Sequence, residues 1–434
     1  MRILIEGGRV IDPANDVDAV LDLLIEDGRI AEVRKPGAQA QGGRPSFPAD
    51  RVLDARGKVV CPGFVDLHVH LREPGREDME TIATGTRAAA RGGFTSVCAM
   101  PNTSPVNDNQ SVTDFILDRA RRDGAVHVFP VGAISKGQQG EELAEIGELV
   151  GAGCVAISDD GKPVMNAELM RRALEYASMF RIPVIQHAED LHMTGKGVMH
   201  EGLVSTELGM RGIPAVSEAI IVARDILLAE LTGSHYHVAH ISTEEAVRLV
   251  REAKAKGLRV TCEVAPHHFA LTDEAVSSFS TNTKMSPPLR SARHVAAVKA
   301  GLRDGTIDAI ATDHAPHTIQ DKEVEFDYAA NGIVGLETAF GLSVTVLVEG
   351  EILTLNQVIA RLTCDAARIF RLAKGTLAVG ADADVTIVDP TREWVVDVKR
   401  FASKSKNSPF DGWKLRGQVL CTIVGGKVVW ELEG

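Results

Sequence analysis

The sequence predicts an α/β protein: a (β/α)8 TIM-type barrel over residues 61–374, with a small β-sandwich domain formed by the two chain ends, 1–60 plus 375–434. Three observations predict it. Eight short β-branched runs alternate with helical patterns from residue 64 onward, and the first five begin about thirty residues apart, the size of a βα unit. An open doubly wound sheet would want a Gly-rich dinucleotide turn early in the chain, and none is present. Both chain ends read instead as hairpins.

Taken in order, strands are expected at 3–6, at 21–26 before Asp27-Gly28, and at 52–53. The Pro-, Gly- and Gln-rich stretch 36–48 is expected to be a surface loop. The barrel runs begin near Phe64, Phe94, Val126, Cys154, Pro183, His235, Arg259 and Ile307. Helix signals fill the gaps. Asn166 stands before 168–181, Ser217 before 220–231, and a capping box Ser242-Thr-Glu-Glu245 opens 246–256. Gly92-Gly93 and Gly257 fall where helices should end. The closing strands are expected at 384–388, 394–398, 419–424 before Gly425-Gly426, and 428–430.

Composition narrows the function. The chain has 434 residues, 44% of them hydrophobic, enough for a large core. Net charge is −12 with no Lys/Arg block, which argues against nucleic acid or an anionic membrane as the main partner. Any positive charge for an anionic substrate must be local. Six scattered cysteines without a Cys-x-x-Cys pair read as small buried hydrophobes and suit a reducing compartment. Residues 1–8 carry no signal-peptide core and no apolar stretch approaches a membrane span, so a cytoplasmic protein is expected.

The chemistry starts at His68-Val69-His70, which closes the first barrel run. Imidazoles at i and i+2 on a strand face the same side and can share one metal ion. A lone His-x-His is weak evidence. Here other strand ends carry matching groups: Asp160, His187, His240 and Asp313. Barrel active sites sit at those ends. Each residue alone has an ordinary explanation, a hydrogen-bonded loop histidine or a capping aspartate, and the argument rests on all six together. Four imidazoles and two carboxylates suit a borderline metal such as zinc, with oxygen available to bridge two ions. His127, His192, His200, His235, His237 and His294 are assigned to surface or packing roles. His267-His268 lie near the rim without an assigned partner, and His314 at most supports a ligand.

Several segments carry a family signature: Asp66-Leu-His68-Val-His70-Leu-Arg72-Glu-Pro-Gly75, Met100-Pro-Asn102-Thr103, Ser158-Asp-Asp160-Gly161, Asn282-Thr-Lys284-Met-Ser-Pro-Pro-Leu-Arg290 and Ala311-Thr-Asp313-His-Ala-Pro-His317. Over nearly the whole chain the sequence resembles the bacterial class I dihydroorotases of the amidohydrolase superfamily. The resemblance implies one or two zinc ions, with two favoured. His68, His70 and Asp313 would hold the first, Asp160 would bridge, and His187 and His240 would hold the second. Arg72, Asn102 and His317 would grip the substrate's α-carboxylate, while Asn282 and the backbone near Asn331-Gly332 meet the pyrimidine ring. Asp313 would act as general base and then acid in the reversible closure of N-carbamoyl-L-aspartate to (S)-dihydroorotate plus water, a step of de novo pyrimidine (UMP) synthesis. The residue spacing independently supports Arg72: it follows His70 by two and offers a bidentate fork on the same side.

One departure stands out. Many superfamily members bridge their metals with a carboxylated lysine on the fourth strand, and here that strand ends in Ser158-Asp-Asp160, with Lys162 beyond Gly161. Asp160 is the expected bridge and Asp159 the fallback. Competing readings are a hydantoinase-, dihydropyrimidinase- or allantoinase-like amidase, and a non-catalytic scaffold for aspartate carbamoyltransferase. Arg72 with His317, and the full ligand set, argue against them. A homodimer, and association of the active enzyme with the transferase, are further expectations. Residues 318–331 are expected to form either a closing loop at the mouth or a passive surface loop.

Overall fold

A computed structural model describes residues 2–36 and 49–433. The loop expected at 36–48 therefore lies, from residue 37 on, outside the described residues. The chain-end strands are β1 (Arg2–Asp12), β2 (Val17–Glu26), β3 (Arg29–Arg34), β4 (Arg51–Asp54) and β5 (Val59–Pro62). The barrel strands follow as β6 (Phe64–Val69), β7 (Phe94–Ala99), β8 (His127–Gly132), β9 (Ala156–Ser158) and β10 (Val184–Gln186). A two-stranded parallel ribbon, β11 (Met199–His200) and β12 (Gly212–Ile213), interrupts before β13 (Tyr236–Val238), β14 (Val260–Val264) and β15 (Ala309–Ile310). The chain closes with β16 (Val385–Val395), β17 (Lys414–Val424) and β18 (Lys427–Glu431).

All eight expected barrel strands form, in the order β15-β14-β13-β10-β9-β8-β7-β6. The seam between first and last is joined by a parallel bridge from Val69 to His314, where the His70 amide donates to the His314 carbonyl at 2.9 Å. Alternate inward residues, among them Val65, Cys98, Val131, Ile185 and Ala309, share one cluster with Ala366, Ile369 and Phe370. The outward residues pack under the helices in the main core.

The sandwich at the chain ends is one continuous sheet, β18-β17-β16-β5-β1-β2-β3, with β4 added beside β1. It curls so that Ile5, Leu23, Leu53, Val385 and Ile423 share an apolar cluster. The β2–β3 turn meets the β17–β18 turn, and a Cβ at Gly28 would lie 3.0 Å from the Gly425 carbonyl oxygen. Strands expected separately at 384–388 and 394–398 are a single long β16 with a register shift between Asp389 and Glu393.

Helix starts show where side chains were promised elsewhere. Asn166 caps Ala167–Phe180 as expected, accepting from the Glu168 and Leu169 amides. Ser217 does not cap: the helix begins at Val216 and Ser217 lies inside it, its hydroxyl donating to the Pro214 carbonyl. Nor does Ser242. Thr243 caps Glu244–Ala255, because Ser242 is taken by the buried carboxylate of Glu218. All six cysteines are buried and unpaired. Among the described residues no helix is long and apolar enough to cross a membrane.

Candidate metal centre and substrate cavity

All six sequence-derived ligands converge at the C-terminal ends of the barrel strands, buried together. His68 Nε2 lies 3.3 Å from Asp160 Oδ1 and 3.6 Å from Asp313 Oδ1. His70 Nε2 lies 3.2 Å from Asp313 Oδ1 and 3.5 Å from Asp160 Oδ2. On the other side of Asp160 stand His240 Nε2 at 3.7 Å and His187 Nδ1 at 3.8 Å, with those two nitrogens 2.9 Å apart. Two groups of ligand atoms result, His68-His70-Asp160 and Asp160-His187-His240, sharing the aspartate. Asp160 is the carboxylate common to both groups.

The donors fit a metal. His68 Nε2 and Asp160 Oδ1 are buried without any hydrogen-bond partner, a costly state unless a cation satisfies them. The outer nitrogens fix the tautomers. His68 Nδ1 donates to Glu263 Oε1 and His70 Nδ1 donates to Asn102 Oδ1, both at 2.8 Å, which leaves each Nε2 lone pair facing inward. Burial works against charge on these groups, yet Asp160 and Glu263 raise His68 well above its ordinary value. The same pairing holds Asp160 well below the usual carboxylate range despite burial. A bound cation would take the place of that imidazolium proton.

Backbone geometry helps to aim the ligands. His240 and Asp313 adopt positive φ, 30° and 49°, uncommon for non-glycine residues. Glu218 secures the first of these turns by accepting from the Ser242 and Thr243 amides at 3.0 Å. Asp66 secures the other side, accepting from the His68 and Thr312 amides.

A cavity of about 250 Å³ opens over this centre, lined by His70, Arg72, Asn102, Asp160, Gly161, His187, Glu189, His240, Ser286, Asp313, Ala315, His317, Asn331 and Gly332. Arg72 projects into it from a residue at φ 61°. Its Nε donates to the Pro316 carbonyl at 3.2 Å and Nη2 stands 3.5 Å from His317 Nε2. Burial lowers the guanidinium only to about 10, so it stays charged. His317 donates from Nε2 to the Asn331 carbonyl at 2.7 Å, and burial beside Arg72 pulls its pKa down to about 3. Gly332, at φ 122°, must be glycine, since a Cβ would lie 2.6 Å from Ala315 Cβ.

The structure corrects several expectations. Asn282 does not line the cavity. It stands on the turn Thr281–Thr283, tied to the neighbouring helix by Lys322 Nζ, which donates to the Thr281 and Lys284 carbonyls; Ser286 lines the cavity instead. The fallback Asp159 is turned away, held by the Ile134 and Ser135 amides and the Ser135 hydroxyl. Lys162 is exposed. His237 does more than pack, for its Nε2 lies 3.3 Å from Glu263 Oε2 behind His68. His267 and His268 are buried, His268 donating to the Pro287 carbonyl. Residues 318–331 are partly regular: Thr318 caps the short helix Ile319–Lys322 with Asp321. Sequence reasoning missed Glu263, Glu189, Ser286 and Asn407. Only Glu263 left a trace, as a lone carboxylate inside the apolar run Val260–Val264.

A parallel barrel with four imidazoles and two carboxylates at its strand ends is the architecture of the amidohydrolases. A dihydro-orotase-like family model matches residues 57–246, and an amidohydrolase family model matches residues 232–430. The chain is 57% identical over 431 residues to a dihydroorotase of Citrifermentans bemidjiense, covering 99% of this chain and 100% of that protein. It is 58% identical over 432 residues to a dihydroorotase of Anaeromyxobacter dehalogenans, covering 99% and 98%. Among solved structures it is similar to an L-hydantoinase (dihydropyrimidinase) from Arthrobacter aurescens, with TM-score 0.87 and 26% identity over 99% of this chain and 96% of that one. The chain belongs to the dihydroorotase family of amidohydrolase enzymes.

Proposed function

We propose that this enzyme is a zinc-dependent dihydroorotase, closing N-carbamoyl-L-aspartate to (S)-dihydroorotate with loss of water and catalysing the reverse. One observation carries the substrate reading: Arg72 is a charged guanidinium facing the cavity beside the ligand set, with no carboxylate within ion-pair distance among the described residues. A cation so placed calls for an anionic substrate group. The hydantoinase-like reading offers Arg72 no partner of that kind.

His68, His70 and Asp313 would hold one zinc, His187 and His240 a second, with Asp160 between them. Zinc supplies Lewis acidity and lowers the pKa of water to about 7. The chain's own groups do the rest. Arg72 takes the α-carboxylate in a bidentate grip, with His317 and Asn102 at its sides. Burial alone would raise Asp313, but His70, His68 and His240 hold it well below the usual range, so it is ionised at neutral pH, the form a general base needs. In hydrolysis the ring amide carbon gains the water's oxygen, Asp313 takes that water's proton, and the C–N bond breaks. Asp313 then delivers the proton to the leaving ring nitrogen. The backbone at Asn331-Gly332 and Ser286, which line the cavity, would meet the ring.

The same reading makes the protein a cytoplasmic enzyme of pyrimidine synthesis, a homodimer, and a candidate companion of aspartate carbamoyltransferase. It divides the chain into a barrel, 61–374, and a chain-end unit, 1–60 plus 375–434. The test is turnover by zinc-loaded protein of dihydroorotate and carbamoyl-aspartate, with dihydrouracil and allantoin as controls. Turnover confined to the carboxylated pair is expected. Turnover of dihydrouracil or allantoin instead would establish the rival amidase, and silence on all four despite bound zinc would move the weight to a partner-dependent enzyme or a scaffold.

A further inference from the structure

The substrate side of the cavity is braced from the far end of the chain. Between β16 and β17 the polypeptide leaves the chain-end sheet and runs along the barrel mouth. There the Ser403 hydroxyl donates to Glu80, the Ser405 hydroxyl donates to the Met79 carbonyl, and Lys404 Nζ reaches the Glu77 carbonyl. Glu77, Met79 and Glu80 belong to the loop that follows Arg72. Two residues beyond Ser405 comes Asn407, which is 6% exposed.

Asn407 is fully committed. Its Nδ2 donates to the Ala315 carbonyl at 3.0 Å and to the Gly332 carbonyl at 3.1 Å, while its Oδ1 accepts from the His317 amide at 3.2 Å. Its own carbonyl accepts from the Val334 amide at 2.9 Å. Only one orientation of the side-chain amide meets two carbonyls and one N–H, so the network fixes it. One side chain therefore pins two separate loops, the one carrying His317 and the one carrying Asn331-Gly332. The first of these loops meets Arg72 through Pro316 and His317, and His317 Nε2 donates to the Asn331 carbonyl of the second.

We propose that Asn407 is a positioning residue for substrate recognition: it sets the spacing of His317 and Gly332 against Arg72 and so determines how well the carboxylated ring is held. It makes no hydrogen bond to any of the six candidate ligands. The proposal rests on the dihydroorotase reading for its substrate but not for its geometry.

The experiment compares Asn407→Ala, the near-isosteric Asn407→Asp and the control Ser405→Ala with wild type, each zinc-loaded. Asn407→Asp keeps the acceptor for His317 and loses both donations. Both Asn407 variants are expected to raise the dihydroorotate KM by about tenfold to a hundredfold, with kcat and bound zinc little changed, because misplaced contacts cost binding before chemistry. Ser405→Ala, which loosens the same segment elsewhere, is expected to leave KM within about twofold. An unchanged KM in both Asn407 variants overturns the proposal, as does an equal rise in Ser405→Ala or a matching loss of zinc. Should the wild type not act on dihydroorotate, the substrate reading fails. The geometry is then read by amide exchange: faster exchange at His317 and Val334 in Asn407→Ala, with barrel-strand amides unchanged, upholds it, and unchanged exchange at both overturns it.

Discussion

The two halves of the site are built differently. The candidate metal half comes from the ends of barrel strands, and neighbours on a strand, a loop and a helix hold it: Glu263 behind His68, Asn102 behind His70, and Glu218 at the amides after His240. The substrate half comes from loops. Arg72 meets His317, His317 bonds the Asn331 carbonyl beside Gly332, and Asn407, 90 residues downstream of His317, bonds the His317 amide and the Gly332 carbonyl. Strand ends hold the first half, and hydrogen bonds between loops, those of Asn407 among them, hold the second. Mutations should therefore separate the two, one set reading out in bound metal and the other in KM.

The largest effect is expected at the point where the halves meet. Asp313→Ala should cut turnover by at least about 10²–10⁴-fold, since in the proposed mechanism it removes the group that moves the proton as well as a ligand. Retention of near wild-type kcat would break the assignment. Glu263→Gln tests the metal half alone. Zinc affinity, measured by competition with a chelator, should fall about 10–100-fold. KM in zinc-saturated protein should not move, and a KM effect without loss of affinity would blur the distinction.

Arg72→Lys tests the other half. It keeps the charge and loses the fork, and kcat/KM for dihydroorotate should fall about tenfold or somewhat more while bound zinc stays constant. The smallest effect concerns stability away from the site. His200, 5% exposed, faces Arg290 Nη1 through Nδ1 at 3.4 Å, and burial followed by the Arg290 charge lowers it from 6.5 to about 3. Below pH 6.5 the unfolded chain takes up a proton that the folded one refuses. Stability present above that pH is thus lost as pH falls toward 3, by up to about 1.4 kcal/mol per pH unit. Urea unfolding between about pH 7 and pH 5 should show a shallower fall in His200→Gln than in wild type. An equally steep fall would mean His200 carries none of it.

The difference between the halves also explains what the sequence revealed. The period of the β-branched runs located all eight barrel strands, and a residue at a strand end is placed by the strand itself, so the candidates His68, His70, Asp160, His187, His240 and Asp313 could be expected to lie together, as they do. Loop residues have no such period. Asn282 and Ser286 sit four apart in one motif, and which of them reaches the cavity depends on where Lys322 ties the turn. Ser217 and Ser242 looked like caps because capping is read locally, while Glu218 claimed Ser242 from a different helix. Asn407 carries no local mark at all, because its three partners lie on two loops distant in sequence.

The central claim, that metal and substrate are held by separable halves, is tested most directly by measuring bound zinc and dihydroorotate KM side by side in Asp160→Asn and Arg72→Met. The account predicts that Asp160→Asn loses zinc, and that Arg72→Met keeps its full complement of zinc while KM rises well beyond wild type. Loss of zinc in Arg72→Met, or a normal KM there, would contradict it.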